Sequence, residues 1–169
     1  ACLANQDMFA FLEENMEDIM SFNPFACEYI AEHNCQIKYN VVMKDERETG
    51  LREILNLGHT VGRAIETVSD YRLLHGEAVA IGMVVITRAA VSLGLCEKGE
   101  LDRLTDLLCK AQLPTECDFS AAELSGVALS DKKRQGDKIT LVVPYAIGDS
   151  RLVEIPINEL EGFISKGLQ

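Results

Sequence analysis

The chain has 169 residues, enough for one ordinary domain with a substantial core. With 47% hydrophobic and 25% charged residues it has the composition of a folded chain rather than a disordered one. A net charge of −11 argues against a nucleic-acid partner, no apolar run approaches the length of a membrane span, and an anionic ligand would have to be drawn by a local basic pocket.

The spacing predicts a first helix over residues 5–21, with Met8, Phe9, Leu12, Met16, Ile19 and Met20 on its apolar side and Asn5 or Asp7 as cap. Asn23-Pro24 is a second start signal, with Asn as cap and Pro at the first helical position. The helix it opens is expected to run to about Lys44, carrying Tyr29, Ile30, Ile37, Val41 and Val42. Lys38 on this helix reads by composition as a surface lysine, and His33 as a surface residue. There is no secretory signal peptide and no internal repeat, so a cytoplasmic protein is expected. The six cysteines (Cys2, Cys27, Cys35, Cys96, Cys109 and Cys117) form no C-x-x-C pair, which points to reduced, mostly buried thiols.

Residues 46–50 make a charged turn into a helix expected to run from Leu51 to about Ser69. At about 100° per residue, Arg52, Asn56, His59, Arg63 and Glu66 share an arc of roughly 80°. Such a stripe is either a solvated face or a site, but a solvated face is more often Glu, Lys and Gln. Gly58 and Gly62 sit inside the same segment, each costing up to about 1 kcal/mol against Ala, which implies close approach of another group. His75 follows after a short loop and opens a second helix to Leu93, apolar on nearly every side over residues 78–86 and therefore expected at the core. Neutral imidazole is a common zinc ligand, and the guanidinium fork suits phosphate and carboxylate, so two histidines beside arginines and an asparagine suggest a metal and anion site.

Downstream, residues 97–112 read as an amphipathic helix with Leu101, Leu104, Leu107 and Leu108 inward. Ser120 caps a shorter one, with Glu123 placed for a capping box. The only basic cluster is Asp131-Lys132-Lys133-Arg134, on composition a solvated turn. Residues 139–143 and 151–155 look like a small hairpin, and a last helix is expected over residues 158–166.

Three motifs occur in order: Asp45-Glu46-Arg47-Glu48-Thr49-Gly50-Leu51-Arg52, then Leu55-Asn56-Leu57-Gly58-His59-Thr60, then His75-Gly76-Glu77-Ala78-Val79 with Gly82-Met83. In these the chain resembles the C-terminal, mostly helical half of the 3-dehydroquinate synthase family. The resemblance implies a mainly α fold: one multi-helix domain over residues 1–169, with a small β-hairpin near its C-terminus, belonging to a longer enzyme. The implied reaction converts 3-deoxy-D-arabino-heptulosonate 7-phosphate to 3-dehydroquinate and phosphate, a lyase step of the shikimate pathway. It uses zinc or cobalt, and NAD held by an N-terminal domain absent here. By motif position His59 and His75 would be metal ligands. Lys38, Arg52, Asn56 and one of Lys132 or Lys133 would hold the phosphorylated sugar acid, and Lys38, Arg52, Asn56 and Arg63 would form the catalytic set. Family members commonly form homodimers.

Two departures bear on this resemblance. Arg63 stands where the family's Gly-His-Thr-x-Gly-His-Ala-x-Glu motif has a second histidine; it keeps a donor and a permanent charge but cannot act as a base near neutral pH. The family's third zinc ligand, a glutamate, lies upstream of this sequence, and no G-x-G-x-x-G occurs here. The isolated chain is therefore expected neither to bind NAD tightly nor to turn over substrate. A 2-deoxy-scyllo-inosose synthase-like cyclase, a metal-dependent polyol dehydrogenase and a non-catalytic helical binding module are the alternatives.

Overall fold

In a computed structural model, which describes residues 5–45, 50–131 and 137–169, Asn5 begins helix α1 (Gln6–Met20) by accepting a hydrogen bond from the Met8 amide at 2.8 Å. Asn23 does the same for α2 (Pro24–Lys44), accepting from the amides of Phe25 and Ala26. The expected long central helix is instead two pieces: a 3-10 turn at Leu51–Asn56 and helix α3 (His59–Val68). Between them Gly58 adopts φ +75°, a left-handed conformation that ends one element and admits the next.

Helix α4 (His75–Ser92) runs through the middle of the molecule, with ten buried residues. One side of it joins α3, α6 (Ala121–Asp131), the hairpin and α7 (Leu160–Gly167) in a core that includes Ile65, Ile81, Leu124, Leu141 and Ile164. The other side, through Ala80 and Val84, meets Phe9 and Met16 of α1 and the four inward leucines of α5 (Lys98–Lys110). Each fully buried side chain of this kind contributes about 1.5–3 kcal/mol.

The α3–α4 contact is main chain on main chain. A Cβ at Gly82 would strike the Gly58 carbonyl and lie 2.8 Å from the Gly62 amide; one at Gly58 would lie 2.7 Å from the Met83 amide. These glycines let the two helices touch without side chains between them.

Strands β1 (Lys138–Ala146) and β2 (Asp149–Pro156) pair antiparallel, Leu141 opposite Val153, with an irregularity between Pro144 and Ala146. The expected capping box at α6 is present: Ser120 N donates to the Glu123 carboxylate at 2.9 Å and Glu123 N to Ser120 Oγ at 3.3 Å. The last helix opens as a 3-10 turn at Ile157–Glu159 before α7 begins.

Two further expectations fail. Of the five described cysteines only Cys96 is buried; Cys35 and Cys109 are exposed, because α2 and the outer side of α5 are enclosed on one side at most. His33 is half-buried rather than superficial, its ring stacked on Tyr29 at 3.8 Å between centroids. Among the described residues no helix is long and apolar enough to cross a membrane.

Candidate metal and anion site

The approach to the site begins with Asp45, a carboxylate only 3% exposed. Its Oδ2 accepts hydrogen bonds from the amides of Gly50 at 3.0 Å and Arg52 at 2.9 Å, so it ties the end of α2 to the 3-10 turn and fixes the main chain that carries Arg52; the charged turn expected at residues 46–50 lies, Gly50 apart, outside the described residues. The 3-10 turn then presents Asn56, and the sharp bend at Gly58 starts α3 on His59.

Asn56, His59 and Arg63 line one open groove of about 490 Å³, with Thr60 and Thr67 on the same side and Val127 of α6 opposite. The groove offers an amide, an imidazole, two hydroxyls and a guanidinium over an apolar wall. That set suits an anionic, polyhydroxylated ligand.

His75 joins from the first residue of α4, its ring centre 5.3 Å from that of His59 and the planes inclined at 62°. His59 Nδ1 lies 3.1 Å from the Leu57 carbonyl, which only accepts, so Nδ1 carries the proton. His75 Nδ1 lies 3.0 Å from Glu66 Oε2 and donates in the same way. Both rings therefore keep Nε2 as the basic nitrogen, and among the described residues neither Nε2 is taken by a protein group. Zn–N bonds of about 2.0–2.1 Å at a tetrahedral angle place two ring centres about 5 Å apart. The donor pair fits two positions of such a centre, and among the described residues no group of three or more His, Cys, Asp or Glu completes it.

The other candidates are placed differently. Arg52 sits on the 3-10 turn and is not in the groove lining, and Lys38 is exposed on α2, away from that lining. Lys132 and Lys133 lie outside the described residues. The break at Gly58 also undoes the expected arc, since Arg52 and Asn56 do not share a helix with His59, Arg63 and Glu66.

Residues 1–134 match the model of the 3-dehydroquinate synthase C-terminal family. The chain belongs to that family. It is 41% identical over 154 residues to the 3-dehydroquinate synthase of Caldanaerobacter subterraneus subsp. tengcongensis, covering 88% of this chain and 42% of that protein. It is 40% identical over 162 residues to that of Synechocystis sp., covering 92% and 45%. The chain thus spans less than half the length of these curated relatives. Its fold is shared with 2-epi-5-epi-valiolone synthase from Streptomyces hygroscopicus subsp. jinggangensis, solved with NAD+ and Zn2+ bound (TM-score 0.82, 24% identity, 99% of this chain and 48% of that one). A 2-deoxy-scyllo-inosose synthase solved with carbaglucose-6-phosphate, NAD+ and Co2+ superposes at TM-score 0.72, with 22% identity over 87% of this chain and 42% of that one.

Two residues of the dehydroquinate synthase-like arrangement escape a reading by residue type. Asp45 stands at the head of the first family motif, but its task comes from burial and from the Gly50 and Arg52 amides it meets, which residue type does not reveal. Glu66 belongs to the polar stripe, seven residues after His59; its contact with His75 depends on the turn of the α3–α4 loop, which helical spacing does not predict.

Proposed function

We propose that the chain is the metal- and substrate-holding half of a 3-dehydroquinate synthase, an enzyme that converts 3-deoxy-D-arabino-heptulosonate 7-phosphate to 3-dehydroquinate and phosphate. The observation that carries this is the His59–His75 pair at 5.3 Å, both rings with Nδ1 committed, beside a groove with Asn56 and Arg63. The roughly 40% identity to relatives of that name supports this substrate over other cyclised sugar phosphates.

In this reading His59 and His75 hold zinc or cobalt through Nε2. When bound, the metal would supply Lewis acidity toward a substrate hydroxyl, and NAD on a partnering N-terminal domain would supply a reversible hydride acceptor. Asn56 and Arg63 donate to anionic and hydroxyl oxygens of the substrate, holding them while charge moves toward departing phosphate. Arg52, Lys38 and one of Lys132 or Lys133 would add cationic contacts to the anionic groups of the substrate. Arg63 stays protonated, so the proton transfer accompanying phosphate loss falls to another group.

The test joins this chain to the N-terminal portion of the Caldanaerobacter relative and follows phosphate release with NAD and zinc. Release from the heptulosonate phosphate but not from glucose 6-phosphate, lost at least a thousandfold in His59→Ala and His75→Ala, is the expected result. Release indifferent to both substitutions would overturn the assignment, and turnover of glucose 6-phosphate would move it to the inosose synthases.

A further inference from the structure

His75 is the less secured of the two histidines. Its side chain is 57% exposed, so packing alone does not fix the ring, whereas the Glu66 carboxylate that meets its Nδ1 at 3.0 Å is only 17% exposed. The buried partner holds the exposed one.

The residues between them explain why that hold matters. Asp70 and Tyr71 are both left-handed, at φ 54° and 55°, a conformation that costs most non-glycine residues about 1 kcal/mol or more. This turn brings the start of α4 back over α3, and the Glu66 main-chain carbonyl anchors it by accepting from the Tyr71 amide at 2.8 Å and Ser69 Oγ at 3.0 Å. At the far end the Glu77 carboxylate accepts from the Leu74 amide at 2.8 Å, fixing the helix start at His75. Glu66 therefore acts twice: its carbonyl shapes the loop and its carboxylate receives the side chain the loop delivers. It also lies two turns along α3 from His59, so both imidazoles are referenced to one helix.

A neutral imidazole in water favours the form with its proton on Nε2, which presents no lone pair from that nitrogen. A carboxylate at Nδ1 reverses the preference. We propose that Glu66 is a positioning residue that keeps His75 in its Nδ1–H form and so determines that Nε2 is the nitrogen offered to a metal cation. The proposal rests on the reading of His59 and His75 as metal ligands. Loss of such a partner weakens metal binding by about 10–100-fold.

The experiment uses the 169-residue chain with 15N-labelled histidine, free of metal and at a pH where the imidazoles are neutral. Long-range 1H–15N spectra identify the protonated nitrogen of each ring. In the unsubstituted chain both His59 and His75 should be Nδ1–H. In Glu66→Ala and Glu66→Gln, His75 should shift toward Nε2–H, because an alanine offers no acceptor and an amide can donate to Nδ1 as readily as accept from it. His59, held by the Leu57 carbonyl, should not change. Both variants keep the Glu66 carbonyl, and the Gln variant keeps nearly the same shape, so loop collapse is separated from loss of the carboxylate. Zinc competition against a chelator should then show about 10–100-fold weaker binding in Glu66→Ala, with His75→Ala as the reference for a missing ligand.

An unchanged His75 spectrum in both variants would overturn the proposal. So would a changed spectrum with zinc affinity intact. Zinc binding that ignores His75→Ala would remove the metal-ligand reading itself, and the spectra would still tell whether Glu66 selects the proton position.

Discussion

Helices α4 and α2 carry similar raw material and meet opposite fates. In α4, eighteen residues include ten that are buried; in α2, twenty-one residues include only Ala26. Both have apolar side chains spread around the whole circumference. In α4 that spread is matched by neighbours on every side, whereas α2 rests on α1 and the 3-10 turn and leaves Phe25 72% and Tyr39 58% exposed. What keeps α2 helical is mostly local: the Asn23-Pro24 start, Asn34 donating to the Ile30 carbonyl, and the stacking of His33 on Tyr29, to which Phe11 of α1 adds one contact from outside. A helix can thus be specified by its surroundings or by its own termini and neighbours in sequence, and the two kinds should break differently.

The largest effect is expected at Gly82→Ala, where the new methyl meets main chain that cannot yield. A loss on the order of 3 kcal/mol in denaturant unfolding is expected, against no loss or a slight gain for Gly126→Ala in α6, where the added carbon meets nothing within 4 Å. Equal effects at the two positions would mean that the α3–α4 contact is looser than described.

Thiol chemistry offers a second contrast. Burial pushes the Cys96 thiol, just beyond α4, above its ordinary range, and does the same to Cys117. Cys35 on α2 is exposed. Alkylation at neutral pH, read by peptide mass spectrometry, should modify Cys35 at least about tenfold faster than Cys96 or Cys117, since the thiolate is the reactive form.

Asn23→Ala should cost about 1 kcal/mol, because the two amides it receives at the head of α2 have no buried neighbour to replace it. An unaltered unfolding midpoint would show that α2 does not depend on its cap.

The smallest effect concerns the brace between α1 and α5. Arg103 donates Nε and Nη2 to the two Glu13 oxygens at 2.9 and 2.7 Å, and this bonding holds the Glu13 carboxyl below the usual carboxylate range. A carboxyl lowered in the folded state adds stability above its unfolded pKa, and that addition is lost as pH falls through the folded value. Glu13→Gln should therefore cost at most about 1 kcal/mol near neutral pH, reduced by salt because the pair is partly exposed, and nothing in strong acid. A cost that persists in acid would point to packing rather than charge.

Much of this contrast was legible in the sequence. The uninterrupted apolar run of α4 announced a core helix, and Asn23-Pro24 announced the start of α2. Periodicity misled at residues 51–59: it continued smoothly through Gly58, whereas the conformation is decided by what α4 allows next to that glycine. For the site, His59 and His75 were legible as a pair, Asn56 and Arg63 as their neighbours. The task of Glu66 was not, because it depends on two left-handed residues in a loop with no glycine to signal them. Lys38, by contrast, reads as a surface lysine from its type, and it stands exposed on α2.

The glycine contact between α3 and α4 has a metrological consequence. The gap between the two imidazoles is measured from one polypeptide backbone to another, with only one side chain's length added at each end. Apolar residues elsewhere in the core can exchange volume and shift by tenths of an ångström without that gauge being reset. A single methyl at Gly58 or Gly82 would reset it, and would do so before either histidine was touched.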